Sequence, residues 1–192
     1  MTTWTDRAYA DPVPYLRHRA RLVVSLGPRL EQGDRLVDLA CGDGGLADFL
    51  PGIEYLGVDS SPERIEEAAS KGRTIVAADL NDFVPERPVT ATTLFRALYY
   101  TRDRRAFFAH VAGYTERKLV FDVNPRQYAV GDVVADLRAA GWPDVAMRPF
   151  FVPQTRALPR PVGAALVAAE RSGPLARLAL RVRFTYLVAA SR

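Results

Sequence analysis

The stretch Leu36-Val37-Asp38-Leu39-Ala40-Cys41-Gly42-Asp43-Gly44-Gly45-Leu46 constrains the fold more than any other part of the chain. Leu36 to Leu39 are too few for a helix and carry large apolar groups, so they read as a short buried strand with Asp38 at its end. Gly42, Gly44 and Gly45 permit positive φ and close backbone approach. Leu46, Phe49 and Leu50 then recur at helical spacing until Pro51, which predicts a helix after the turn. Strand, glycine turn and helix open a βαβ unit, the building block of a parallel sheet.

Gly42 to Ala47 also fits the G-x-G-x-x-G/A pattern of dinucleotide sites, with Asp59 lying 17 residues after Gly42. The preceding acid argues against that cofactor. A pyrophosphate on this turn would approach the Asp38 carboxylate, and like charges about 4 Å apart repel by roughly 4 kcal/mol at an effective dielectric near 20. A cofactor bearing an ammonium and a sulfonium would be attracted instead. S-adenosylmethionine carries both, and its ribose diol suits Asp59. An NAD(P)-dependent oxidoreductase remains the alternative, as does a non-catalytic protein that keeps an S-adenosylmethionine pocket.

On these residues the chain resembles the class I S-adenosylmethionine-dependent methyltransferases, whose first motif reads acid-x-Gly-x-Gly-x-Gly. Here it is Asp38-Leu39-Ala40-Cys41-Gly42-Asp43-Gly44, with Ala40 in place of the first glycine. An alanine there predicts that residue 40 keeps φ negative. The resemblance continues through Glu54 to Asp59 as a second strand, with Asp59 at its tip for the ribose hydroxyls and Ser60 or Ser61, then Pro62 and Glu63, opening the next helix. It makes Thr74 to Ala78 the third strand, followed by Asp79 and Leu80, which the family places against the adenine amino group and ring. Residues 92–95 and 118–123 are the fourth and fifth strands. The implied cofactor residues are Asp38, Ala40, Gly42, Gly44, Asp59, Ser60, Asp79, Leu80 and Arg96. No metal is implied, and no general base is nominated.

The 192 residues suffice for one well-buried domain. Apolar positions recur at helical spacing in Tyr15 to Leu26, Asp103 to Tyr114 and Asp132 to Ala140. The first reads as an N-terminal cap helix within residues 1–30, with Leu16, Ala20, Val23 and Val24 inward and Arg17, Arg19 and Arg21 around the rest. Ala146 to Val152 and Arg183 to Ala189 read as two final strands, which in the resembled family form an antiparallel hairpin. The expected architecture is α/β: a doubly wound, mostly parallel seven-stranded sheet with that hairpin at its C-terminal edge and helices on both faces.

The single cysteine, Cys41, excludes an internal disulfide framework and suits a reducing, cytoplasmic setting. Residues 1–14 lack the apolar run of a signal peptide, and no stretch of 18 apolar residues suggests a span. Cys41, His18 and His110 offer no zinc-like spacing. Net charge is +4, but from Val145 onward eight arginines face one acid, Glu170. Within this basic tail, residues 153–180 hold two apolar stretches, 162–169 and 175–180. We expect them to form a lid or docking element for a small-molecule acceptor that is anionic, amphiphilic or held at a membrane surface. No RNA-binding module accompanies the charge, so nucleic acid is not expected.

Ligands in open α/β sheets lie beyond the carboxyl ends of the strands. That places Arg96, Tyr99 and Tyr100 near the site after the fourth strand, and Asn124, Arg126 and Tyr128 after the fifth. His110, beside Phe107 and Phe108, reads as structural, and His18 as a minor catalytic candidate. Alignment of the reactants can supply about 7–11 kcal/mol of barrier lowering without any base.

Overall fold

The computed structural model describes residues 2–181 and 184–192. Seven strands form one sheet: β1 (Arg35–Leu39), β2 (Glu54–Asp59), β3 (Ile75–Ala77), β4 (Val89–Leu94), β5 (Thr115–Val123), β6 (Asp144–Pro149) and β7 (Tyr186–Ser191). Their spatial order is β3-β2-β1-β4-β5-β7-β6. The pairings from β3 to β5 are parallel, whereas β7 runs antiparallel to both β5 and β6. The expected sheet and its terminal hairpin are therefore present. The expected start of the last strand, Arg183, lies outside the described residues, and the strand itself runs from Tyr186 to Ser191.

Period-two alternation splits the core between two faces. Val37, Leu39, Leu119 and Phe121 point toward α4 (Arg104–Ala112) and α5 (Val130–Ala139), where Phe107, Phe108, Val111, Leu137 and Trp142 bury them. Leu36, Ala91, Val120, Leu187 and Ala189 point to the other face, against Tyr15, Leu16, Ala20 and Val23 of α2 (Pro12–Ser25). Lys118, fully buried, fixes the end of α2 by donating from Nζ to the carbonyls of Val24 (3.2 Å) and Leu26 (3.0 Å). Those carbonyls have lost their intrahelical partners, and a cation suits the negative end of the helix. Burial pushes the Lys118 ammonium down to about 8.

Three expectations need correction. The helix expected after the glycine turn is a single 3-10 turn, Ala47–Phe49. Only five residues separate Gly45 from Pro51, too few for the two turns a helix needs to cover a strand. The long α2, from the start of the chain, covers that part of the sheet instead. The N-terminal cap is two helices, α1 (Trp4–Ala8) and α2, broken at Tyr9 to Asp11. Ala40 has φ of +54°, not a negative value. The chain must reverse directly off β1, and a left-handed residue makes that turn even though a Cβ there costs about 1–2 kcal/mol.

Between β6 and β7 lie α6 (Arg160–Ala169) and α7 (Gly173–Arg181). The segment expected as a lid is thus a helical pair joined to the sheet by the strap from 150 to 159. No described helix is long and apolar enough to cross a membrane.

Candidate cofactor and acceptor site

The site lies where β1, β2, β4 and β5 end. Asp38 shares the α2 face with Leu36, so its carboxylate points under α2 and not toward open solvent. It accepts from the Tyr55 hydroxyl at 2.8 Å and from Thr93 Oγ1 at 2.6 Å. Burial pushes it up to about 6, against the pull of those two hydrogen bonds and of Arg19.

Arg19 is the residue that sequence reasoning placed wrongly. It lies on the buried stripe of α2 with Tyr15 and Leu22, and its side chain is 2% exposed. Its guanidinium donates to the hydroxyls of Tyr15 (2.7 Å) and Tyr9 (3.3 Å), stands 3.8 Å from Asp122, and sits over the rings of Phe95 and Tyr15. Desolvation opposes its charge, but the Tyr15 and Tyr9 oxygens and the Asp122 and Asp38 carboxylates outweigh it and keep the group protonated. Its Nε is buried with no hydrogen-bond partner among the described residues. A buried donor of this kind costs about 1–3 kcal/mol unless an acceptor reaches it. The signal in the sequence was an aromatic and an arginine at i and i+4, Tyr15 and Arg19, on a stripe otherwise apolar.

The glycine turn is covered by α1. Thr3 and Asp6 form a capping box that starts this short helix. Trp4 lies flat on the turn, so a Cβ added to Gly42 would come within 2.5 Å of its ring. The Trp4 N–H donates to Glu67 at 2.6 Å, Arg7 bridges Glu63 (3.2 Å) and Glu67 (3.0 Å), and the Thr5 hydroxyl donates to Asp43. Asp43 is fully buried. Desolvation would raise it, but hydrogen bonds from Thr5 and Lys71 and the Lys71 charge hold it below the usual carboxylate range. Asp43 is therefore an anchor for α1.

The remaining expected residues are distributed around this centre. Asp59 is buried and already accepts from Gly42 N (2.8 Å) and Ser61 N (2.9 Å), with Arg64 at 3.5 Å. Ser61 is the N-cap of α3 (Pro62–Ser70), but its hydroxyl makes no capping bond; its N–H donates to Asp59. Ser60 is exposed, and Leu80 belongs to the α4 face core. Asp79 is exposed and held low by hydrogen bonds from the Asn81 backbone and side chain, with Arg102 nearby. Cys41 is buried, and burial drives its thiol far above the range of a nucleophile. His110 bonds the Phe83 carbonyl at 2.9 Å. His18 pairs with Glu170 at 2.7 Å and stacks on Phe150, away from the glycine turn.

Three cavities follow one another along the strand ends. The first, about 20 Å³, is lined by Asp38, Arg19, Ala40, Trp4, Tyr9 and Phe95. The second, about 440 Å³, adjoins it at Trp4, Ala40 and Phe95 and reaches Arg64, Arg96, Tyr99 and Tyr100. The third, about 850 Å³, shares Arg96 and Tyr99 with the second and is enclosed by Asp122, Asn124, Tyr128, Phe150 and the strap and helices of residues 151–175. Arg96 stands at their junction with φ of +55°, a strained conformation for a non-glycine, and its N–H donates to Asp122 Oδ1 at 2.6 Å.

No protein-family profile matches the chain. It is similar to the trans-aconitate 2-methyltransferase of Mycobacterium tuberculosis, 36% identical over 102 residues, covering 48% of this chain and 39% of that protein. The enzyme of the same name from Escherichia coli O157:H7 is 30% identical over 119 residues, covering 58% and 46%. The chain thus spans less than half the length of these curated relatives. Among solved structures, its fold matches an S-adenosylmethionine-dependent methyltransferase from Mesorhizobium loti, with a TM-score of 0.64, 19% identity, and 91% and 96% of the two chains covered. It also matches the magnesium protoporphyrin IX methyltransferase of Synechocystis with bound S-adenosylmethionine, with a TM-score of 0.64, 17% identity, and 94% and 81% covered. With that sheet order, that glycine turn and these likenesses, the chain has the fold of the class I S-adenosylmethionine-dependent methyltransferases.

Proposed function

We propose that this protein transfers the methyl group of S-adenosylmethionine to a small anionic acceptor. The observation that carries the reading is the pairing of Asp38 and Arg19 in one pocket at the end of β1, opposite charges suited to the ammonium and carboxylate of an amino acid. The residues present fit the cofactor: Arg19 Nε offers the free donor, Asp38 the acceptor, and Gly42 and Gly44 the close backbone approach. Asp59 suits the ribose, reached when Arg64 gives way, and the loop of Asp79 and Leu80 suits the adenine. Ala40 lines both the first and the second cavity, and the exposed Ser60 follows Asp59.

When bound, the cofactor supplies an electrophilic methyl on a cationic sulfur that leaves neutral. The protein's part is to orient, to exclude water and to hold charge. Arg96 and Tyr99 connect the second and third cavities, which makes them the residues past which an acceptor meets the cofactor. Arg96 and Arg156 give the third cavity its positive charge, matched to a carboxylate acceptor. A carboxylate is already deprotonated at neutral pH and needs no base. Asp122 is engaged by Arg96 N and Arg19, so it acts as a brace for those groups. Residues 153–180 roof the acceptor cavity. The names of the curated relatives, which give trans-aconitate as acceptor, agree in charge and size.

A space of about 20 Å³ beside Asp38 is too small for the amino acid arm, so cofactor entry requires α1 and Trp4 to lift. Calorimetric titration with S-adenosylmethionine, its demethylated product and NAD tests the cofactor. Transfer of a labelled methyl to a panel of small mono-, di- and tricarboxylic acids tests the acceptor. Binding of NAD without S-adenosylmethionine, or methylation confined to neutral and cationic acceptors, would refute the proposal.

A further inference from the structure

Across the strap from the third cavity, with which it shares Val152, Pro153, Arg156 and Leu158, a groove of about 590 Å³ has α2 and α6 as its walls. Arg17 and Arg21 line one wall, and Arg156 and Arg160 approach from the strap and α6. None of the four has a carboxylate partner among the described residues. Arg17 and Arg21, four apart on one helix, repel each other, and two more cations across the groove add to that cost. Asp11 at the rim is the one acid lining it.

Glu170 could have offset this charge but does not. It is the one acid after Asp144, and it is buried against His18 at 2.7 Å and the Phe151 N–H at 2.7 Å. The pair fastens α6 to α2 and so builds the groove. Every other charged side chain of residues 145–192 is an arginine. The floor is apolar, with Val152, Leu158 and Val167, and Val13 stands exposed on the α2 wall at 47%. No residue within α6 is fully buried, and its C-cap, Glu170, ties the helix to α2.

We propose that this groove docks the protein on an anionic phospholipid surface, the four guanidinium groups taking headgroup phosphates while Val13 enters the interface. Charge complementarity supports the lipid: planar guanidinium forks match phosphate oxygens, and an apolar floor within a cationic rim matches a phosphate with glyceryl and acyl carbons beneath it. A free inorganic anion would use the rim and leave the floor and the exposed Val13 without a partner. The inference does not depend on the methyl-transfer reading.

The test uses the full chain and vesicles of phosphatidylglycerol with phosphatidylcholine, against phosphatidylcholine alone. Sedimentation at low salt should be confined to the anionic vesicles and fall as salt rises. Each arginine near such a surface contributes about fivefold to partitioning, so Arg17→Glu with Arg21→Glu should weaken it by at least about 25-fold. Val13→Asp should weaken it as well, and Arg105→Glu, on α4 across the sheet, should leave it unchanged. Unchanged circular dichroism of the variants separates loss of docking from loss of folding. Failure to sediment with anionic vesicles, or sedimentation indifferent to the Arg17 and Arg21 changes, overturns the proposal. So does release from vesicles by millimolar inorganic phosphate at constant ionic strength, which would identify a soluble anion as the ligand.

Discussion

Replacing Asp38 by asparagine should make the protein more stable and less able to bind its cofactor, and the two effects should have different pH profiles. The carboxyl is 3% exposed and is pushed up from 3.8 to about 6 by burial. The sign follows from linkage. Above about pH 6 the folded state carries an ionised, desolvated carboxylate and is destabilised relative to the unfolded chain. Below about pH 4 the group is neutral in both states and the penalty vanishes. At 1.36 kcal/mol per unit, the penalty at pH 7.5 is about 2–3 kcal/mol. Asparagine has the same shape, and its amide can still exchange hydrogen bonds with the Tyr55 and Thr93 hydroxyls, both of which accept as well as donate. Asp38→Asn should therefore raise stability by about 2–3 kcal/mol at pH 7.5, a rise in Tm of several degrees for a chain of this size, and by nothing near pH 4. Urea unfolding at both pH values measures this directly. Affinity for S-adenosylmethionine should fall about tenfold to a hundredfold at pH 7.5, the worth of a hydrogen bond between charged groups. A variant that is less stable at pH 7.5, or equally shifted at both pH values, would show that Asp38 is not the strained, desolvated acid the structure describes.

Arg19→Met should lower S-adenosylmethionine affinity about tenfold to a hundredfold by calorimetry, since it removes the buried donor opposite Asp38. Ala40→Gly relieves a left-handed alanine and should add about 1 kcal/mol of stability in denaturant unfolding. Gly42→Ala should destabilise by at least about 1–2 kcal/mol, through its positive φ and the Trp4 ring. In the Trp4→Ala background the same change should cost less, with the backbone part persisting. The Lys118 ammonium sits near 8 when folded and 10.5 when not. Relative to Lys118→Met, stability should therefore rise by about 2–3 kcal/mol as pH increases from 8 to 10.5, because the unfolded chain then binds the extra proton.

The strands and the acids at their ends were readable from the sequence because a buried parallel strand is a short apolar run and an acid interrupts it. Asp38 and Asp59 fall in the last two residues of β1 and β2, and Asp79 lies two residues past β3. Arg19 was hidden because a search for an apolar stripe assigns every arginine to solvent, whereas this one is held inside by two tyrosines, a phenylalanine and two carboxylates from distant strands. The sign of φ at Ala40 was misread because side-chain preference is local, while the reversal after β1 is imposed by where β2 must pair. The groove at Arg17 and Arg21 needs α6 beside α2, a contact between residues about 140 apart that no local pattern encodes.

The place of β7 between β5 and β6 has a consequence for how the chain reaches this structure. β6 has β7 as its one neighbour, so it can join no ladder until the chain has passed through 36 further residues and returned. Up to β5 each strand can pair with one made before it. The last step is a long loop closure, slow to occur though modest in equilibrium cost. During that interval the edge of β5 is open and β6 is unpaired, which makes this the stage most exposed to aggregation. Slow synthesis or low temperature should therefore improve yield more than added ligand, since a ligand at β1 and β4 acts on the half of the sheet that is already assembled.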